Sequence, residues 1–156
     1  MNVGIPPVVL KASRNHTATL IFLHGLGDTG MGWAGALNSI KPDYLKVICP
    51  TAPMLPVTLN GGASMPAWYD ILSLDENDTN REDMEGVNWA VDFVHDLVKG
   101  EAKHGLGPDR VMIGGFSQVS SKTFLLLNFM LLNPGRSSVL ESSHDFSHPP
   151  GRLCST

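Results

Sequence analysis

The residues with the clearest chemistry are Gly115-Phe116-Ser117-Gln118-Val119. They carry most of the G-x-S-x-G pattern, in which a serine stands at a sharp turn from a strand into a helix. A serine hydroxyl becomes a useful nucleophile when it is held clear of the sheet and close to a base. The turn does the first of these. The helix that follows aims its free N–H groups at the charge that develops on an attacked carbonyl oxygen, and Gln118, next after the serine, supplies one such N–H. A second donor must come from another loop. His24-Gly25-Leu26-Gly27 has the composition for it, because its glycines let the backbone approach and the N–H of Leu26 is free to point inward. The chemistry indicated is acyl transfer through a covalent serine intermediate.

Neighbouring polar residues read as structural. His24 fixes its loop by hydrogen bonding. Asp28, in a Gly-Asp-Thr-Gly turn, bonds nearby backbone, and Asp70 reads equally well as a turn carboxylate. His95 sits among charged residues on a helix, and His16 and His104 fall in a loop and at a helix end. Trp68 belongs to a core. The cysteines, Cys49 and Cys154, form no CxxC and no Cys/His ligand spacing, so neither a disulfide scaffold nor a metal site is expected, and no cofactor is called for.

Stepping along the chain, the elements that would carry these residues alternate strand and helix. Residues 19–23 are a strand buried on both faces, running into the glycine loop. Residues 31–40 have loose helical spacing (Met31, Trp33, Ala34, Leu37, Ile40), and 45–49 form a second short strand broken by Pro50. Residues 51–80, rich in Pro, Gly, Asn and Asp, read as mainly loop, a length usually reserved for function. Residues 81–104 are the clearest helix: Met84, Val87, Val91, Val94 and Val98 follow 3, 4, 3, 4 spacing, widened by Trp89, Ala90 and Leu97. Oxygens at 78–80 offer caps, and Gly105 and Gly107 stop it before Pro108. Residues 110–115 are a third buried strand leading into Ser117. This alternation implies right-handed crossovers and a parallel sheet covered by helices on both faces, an α/β fold.

The chain has 156 residues, a formal net charge of −4 and 42% hydrophobic residues, the profile of a soluble globular domain. With no Lys/Arg run to displace phosphate counterions, nucleic acid and anionic lipid are not expected partners. Residues 1–11 lack a secretory apolar segment. The longest apolar run, 124–132, is far short of the roughly 20 residues that span a bilayer, so stable membrane insertion is not expected and a cytoplasmic location is.

Beyond Gln118 the pattern changes. Residues 119–133 read as an apolar helix without a polar face, and 134–156, rich in Ser, His and Pro, as a disordered tail. Val119 stands where the elbow leaves no space for a β-branched side chain, an overpacking worth about 1–3 kcal/mol.

Taken in order, His24-Gly25-Leu26-Gly27-Asp28-Thr29-Gly30 with Trp33, Ile48-Cys49-Pro50-Thr51-Ala52-Pro53, Pro56-Val57-Thr58-Leu59-Asn60, Met65-Pro66-Ala67-Trp68-Tyr69-Asp70 and Gly114-Gly115-Phe116-Ser117-Gln118 resemble the acyl-protein thioesterase/lysophospholipase (phospholipase/carboxylesterase) family of α/β-hydrolases. The likeness runs over residues 17–118. It implies an α/β-hydrolase fold over residues 1–118, with Ser117 as nucleophile and the N–H groups of Leu26 and Gln118 as the oxyanion hole. It also implies that Trp68, Leu72 and Leu74 line the acyl site. The substrates implied are S-acylated proteins, lysophospholipids and small carboxylic esters. The family order is Ser, Asp, His, and after Ser117 only Asp145 and His148 follow it, three residues apart in a tail with no strands to position them. The expectation is a chain that lacks the C-terminal part of the sheet and the working triad partners, with an alternative or out-of-frame ending, and is catalytically impaired. The competing class is a non-catalytic isoform that binds an acyl chain or a protein partner.

Overall fold

The computed structural model describes residues 4–73 and 83–119. Its centre is the apolar run Ala18–Leu23, strand β2, which has Val8–Leu10 (β1), Leu45–Cys49 (β3) and Val111–Gly115 (β6) as companions in one sheet of order β1-β3-β2-β6. β3 and β6 run parallel to β2 on either side of it, and β1 closes the β3 edge antiparallel, Val8 facing Cys49 and Leu10 facing Val47. The three parallel strands are those expected from their apolar runs. β1 is only three residues long, too short for its alternation to register in the sequence.

Alternation along the strands sorts side chains to two layers. Ile21, Leu23, Ile48 and Ile113 pack with Val91, Val94 and Val98 of the helix Met84–Ala102 (α2). Leu20, Phe22, Val47 and Cys49 face the other way, onto Leu37 and Trp33 of the helix Gly30–Ile40 (α1). Helices therefore cover both faces of a mostly parallel sheet, the expected α/β architecture. In α1, Ala34 and Leu37 carry the burial, while Met31 and Ile40 are exposed.

Two expectations are corrected. The stretch 51–80 is not mainly loop at its start: Met54–Val57 (β4) and Ala63–Pro66 (β5) pair antiparallel, Met54 opposite Pro66 and Val57 opposite Ala63. The turn between them passes through Gly61 and Gly62, with φ of 65° and 80°, a region that glycine enters without penalty. Prolines at 56 and 66 hide this ribbon from a strand reading, yet they are tolerated because each strand has a neighbour on one side only. Secondly, α2 starts at Met84 and is capped by Asp83, whose Oδ1 accepts from Gly86 N at 2.9 Å while Oδ2 accepts from Asp70 N at 2.8 Å. The capping oxygens expected at 78–80 lie outside the described residues. Met84, in the first turn, is 42% exposed, so the buried stripe begins at Val87. Among the described residues no helix is long and apolar enough to cross a membrane.

One buried charge was not anticipated. Glu101, near the end of α2, is 3% exposed, and its carboxylate accepts from Thr19 Oγ1 at 2.7 Å and from Lys46 Nζ at 2.6 Å. His16 Nε2 stands 3.8 Å away and bonds the Thr19 hydroxyl at 2.8 Å. The cluster staples α2 to the first residues of β2 and β3, at the end of the sheet opposite Ser117. Burial pushes the Glu101 carboxyl up. The Lys46 and Thr19 hydrogen bonds, with the Lys46 and His16 charges, outweigh it and hold the group below the ordinary carboxylate range. A carboxyl depressed in the folded state stabilises the fold above its unfolded pKa and stops doing so as the pH falls through the folded one. Urea titrations should therefore show stability declining below the ordinary carboxylate range, with Glu101→Gln flattening that decline. At neutral pH Glu101→Ala should cost about 3 kcal/mol, because Lys46 is left without its partner.

Candidate active site

Parallel pairing in register brings the two chemically suggestive segments together. Leu23, the last residue of β2, is opposite Gly115, the last of β6, so the loops after them leave the same end of the sheet side by side. Phe116 N–H continues the ladder by donating to Leu23 O at 3.1 Å. The chain then breaks direction at Ser117, whose φ of 54° is the one positive value at a non-glycine position among the described residues. A left-handed serine costs roughly 1–2 kcal/mol, and such strain persists only where the surroundings over-determine it. The short 3-10 turn Ser117–Val119 follows, and it leaves Ser117 exposed. The strand and the sharp turn of the expected elbow are present; the helix expected after the turn lies outside the described residues.

Glycines set the approach. A Cβ at Gly25 would lie 3.2 Å from Ser117 Cβ and 3.2 Å from Phe116 Cδ1, so any side chain at position 25 would push the serine and the loop carrying Leu26 apart by a few tenths of an ångström. At Gly114 a Cβ would meet Phe22 Cδ2 at 3.3 Å. Beside the elbow, Phe116 packs on Trp33 (centroids 5.2 Å apart), and Trp33 packs on Phe22 (4.8 Å).

His24, fully buried, holds its loop as expected. Its Nε2 accepts from Ala52 N–H at 3.0 Å, which leaves the proton on Nδ1, and Nδ1–H donates to Gly25 O at 2.7 Å. Desolvation lowers its pKa, against the raising effects of the Gly25 bond and the Asp28 charge. Both ring nitrogens are committed, so His24 cannot take the proton of Ser117. Asp28 and Asp70 are likewise structural: Asp28 Oδ1 accepts from Thr29 N at 2.7 Å, and Asp70 takes both the N–H and the hydroxyl of Thr58 at 2.7 and 2.6 Å.

Trp68 is 1% exposed and sits in the core with Phe93 and His24, its indole N–H donating to His24 O at 2.9 Å. Leu72 is half-buried and lines a cavity of about 490 Å³ with Leu55, Pro56, Met84, Asp70, Asp83 and Glu85; Ser117, Leu26 and Gln118 are not among its walls. The fold thus gathers Ser117, Gln118, the Leu26 loop and Trp68, while Leu72 lines this cavity. Leu74, the side chain of Val119, the helix expected at 119–133 and the tail with Asp145 and His148 lie outside the described residues. Sequence reasoning assigned Gln118 a role through its backbone only. Its side chain, 6% exposed, is bonded to the backbone of Trp68 and Tyr69. The available signal was the Trp68-Tyr69 pair within the 65–70 motif.

The sequence profile of the phospholipase/carboxylesterase family matches residues 6–131. The chain belongs to the phospholipase/carboxylesterase family. Acyl-protein thioesterase 1 of Neurospora crassa is 45% identical over 120 residues, covering 72% of this chain and 49% of the relative. The Schizosaccharomyces pombe protein of the same name is 45% identical over 119 residues, with 76% and 52% covered. Among solved structures, Zea mays acyl-protein thioesterase 2 superposes with a TM-score of 0.62 at 35% identity, covering 72% of this chain and 46% of that one. Esterase PE8, at 23% identity and a TM-score of 0.53, shares the fold. The chain spans about half the length of the curated relatives it matches.

Two measurements test the geometry. Long-range 15N spectra should show His24 as the neutral Nδ1–H tautomer, staying neutral as the pH is taken down through 6.5, the ordinary histidine value. An unfolded histidine binds its proton there and the folded one does not, so stability should also fall as the pH drops below that value. Gly25→Ala, which asks Ser117 and Phe116 to give way by a few tenths of an ångström, should slow covalent modification of Ser117 by several-fold to about tenfold, below the roughly 100-fold that a 1 Å displacement at a reacting centre can cost.

Proposed function

We propose that this chain is a serine hydrolase of the acyl-protein thioesterase type, acting on the thioester of S-acylated proteins and on the carboxylic esters of lysophospholipids and smaller acyl esters. The observation that carries the reading is the left-handed Ser117 at the end of β6, with Gly25 of the β2 loop against its Cβ. In this reading Ser117 Oγ attacks the carbonyl carbon, and the oxyanion is received by the N–H groups of Leu26 and Gln118. The C–S or C–O bond then breaks and the thiolate or alkoxide takes up the proton lost by the serine, leaving as thiol or alcohol, and water releases the acyl group from the serine as the carboxylic acid. No cofactor enters these steps. Trp68 supports the site from beneath as a positioning residue.

The proton of Ser117 needs a base, and His24 is excluded by its own hydrogen bonds. The family order places the base and its orienting carboxylate after the serine, where Asp145 and His148 are the only pair in that order. With only two residues between them and no strand pattern around them, they are not a working dyad in this reading, and turnover is slow. An oxyanion hole without its triad partners retains about 10³–10⁴-fold acceleration over water. Support for the substrate class comes from the named thioesterases of Neurospora crassa and Schizosaccharomyces pombe.

The test is covalent labelling with a fluorophosphonate probe, paired with hydrolysis of a palmitoyl thioester. Labelling should be measurable and lost in Ser117→Ala, while Asp145→Asn and His148→Ala leave it unchanged. Thioester turnover should be orders of magnitude below that of a complete family member. Absence of labelling in the parent chain would sink the hydrolase reading in favour of a non-catalytic binder of acyl chains or protein. Turnover equal to a complete member would sink the claim of impairment.

A further inference from the structure

Residues 66–69 are bonded to both halves of the oxyanion site. On one side, Gly27 N–H donates to Pro66 O at 2.8 Å and the Trp68 indole N–H donates to His24 O at 2.9 Å, so the loop carrying Leu26 is held at each flank. On the other side, the Gln118 carboxamide bonds the bent backbone of Trp68 and Tyr69 in the same segment. Its Oε1 accepts from Trp68 N–H at 3.1 Å and its Nε2 donates to Tyr69 O at 2.6 Å. The Tyr69 hydroxyl donates in turn to the carbonyl oxygen of Gln118 itself. Gln118 is thus gripped at its side-chain end and at its main chain. Ala67 N–H donates to Pro53 O at 3.1 Å and ties the segment to the beginning of the β4–β5 ribbon.

We propose that segment 66–69 is a strut that sets the separation of the two oxyanion donors, with the Gln118 carboxamide and the Tyr69 hydroxyl as positioning groups for Ser117 chemistry; this rests on the hydrolase reading above. Backbone donation by residue 118 asks nothing of its side chain, since every residue except proline has an N–H. A buried glutamine that spends its donor and its acceptor on one dipeptide is therefore doing something else. Oxyanion donors act when they sit 2.7–3.1 Å from the place where the charge develops. Two donors on separate loops hold such a spacing only if the loops are coupled. The adjoining Ser117 is strained and would relax if Gln118 were released. A carboxamide suits the task because it offers one donor and one acceptor side by side, opposite a backbone N–H and a backbone carbonyl. A protonated carboxylic acid reproduces that pair, and a carboxylate does not.

The experiment uses the full chain, the rate of fluorophosphonate labelling of Ser117 and the melting temperature measured in parallel. Gln118→Leu should label about tenfold to a hundredfold more slowly than the parent. Gln118→Glu keeps the shape and makes the grip titratable. Its rate relative to the parent at each pH should approach one at low pH, where the acid is protonated. The ratio should fall at least tenfold as the pH rises and the carboxylate faces the Tyr69 carbonyl, within the range where both proteins remain folded. Tyr69→Phe, which removes the bond to the Gln118 carbonyl, should slow labelling about threefold to tenfold without a pH-dependent ratio. Gln118→Leu labelling at the parent's rate, or a Gln118→Glu ratio that does not change with pH, would overturn the strut alone. No labelling of the parent chain would overturn the hydrolase reading and the strut with it.

Discussion

Five register pairs, from Thr19 opposite Val111 to Leu23 opposite Gly115, join β2 to β6 in parallel. Parallel strands that end at the same level deliver their following loops to the same side of the sheet. Because of that, the glycine loop from His24 and the turn at Ser117 meet, though over ninety positions separate them in the chain. A slip of one residue in this pairing would turn every side chain of β6 to the opposite face and carry Ser117 away from Gly25. The core protects against it: Ile113 belongs with Ile21, Leu23 and α2 on one face of the sheet.

Around that pairing the structure holds a strained serine in place by several independent contacts. Gly25 presses close because it has no Cβ, His24 locks the loop with both ring nitrogens, and Trp68 bonds His24 from the core. The Gln118 carboxamide and the Tyr69 hydroxyl hold the far side of the turn. These bonds lie in a largely buried region, where polar groups left unpaired are costly and satisfied networks are correspondingly rigid. At the other end of the sheet, Glu101 with Lys46 and Thr19 anchors α2, so the helix that supplies the core under the site is fixed at its distant end.

Much of this was legible. The apolar runs located the three parallel strands, the 3, 4 spacing located α2, and the loop compositions pointed to Ser117 and to the Leu26 loop. The structural roles of His24 and Asp28 followed from their neighbours. What the chain did not disclose has physical reasons. The β4–β5 ribbon contains prolines and no clean alternation, because a two-stranded ribbon needs neither. The α2 cap was misplaced because several polar residues precede the helix, and only geometry selects Asp83, which also bonds the backbone of Asp70. Nothing in the local pattern marks Glu101 as buried; its partners come from β2 and β3, over fifty positions away.

The sequence by itself determined the class of the fold, the family and the residue with nucleophilic potential, since these depend on local pattern: apolar runs, helical periodicity, and glycines beside a serine. Tertiary structure alone decided which side chains act together. The grip of Gln118 on Trp68 and Tyr69, the proton placement on His24 and the burial of Glu101 each join positions that are distant along the chain. Such bonds depend on the direction in which a polar group is aimed once the layers have packed, and residue type and spacing carry no information about that direction.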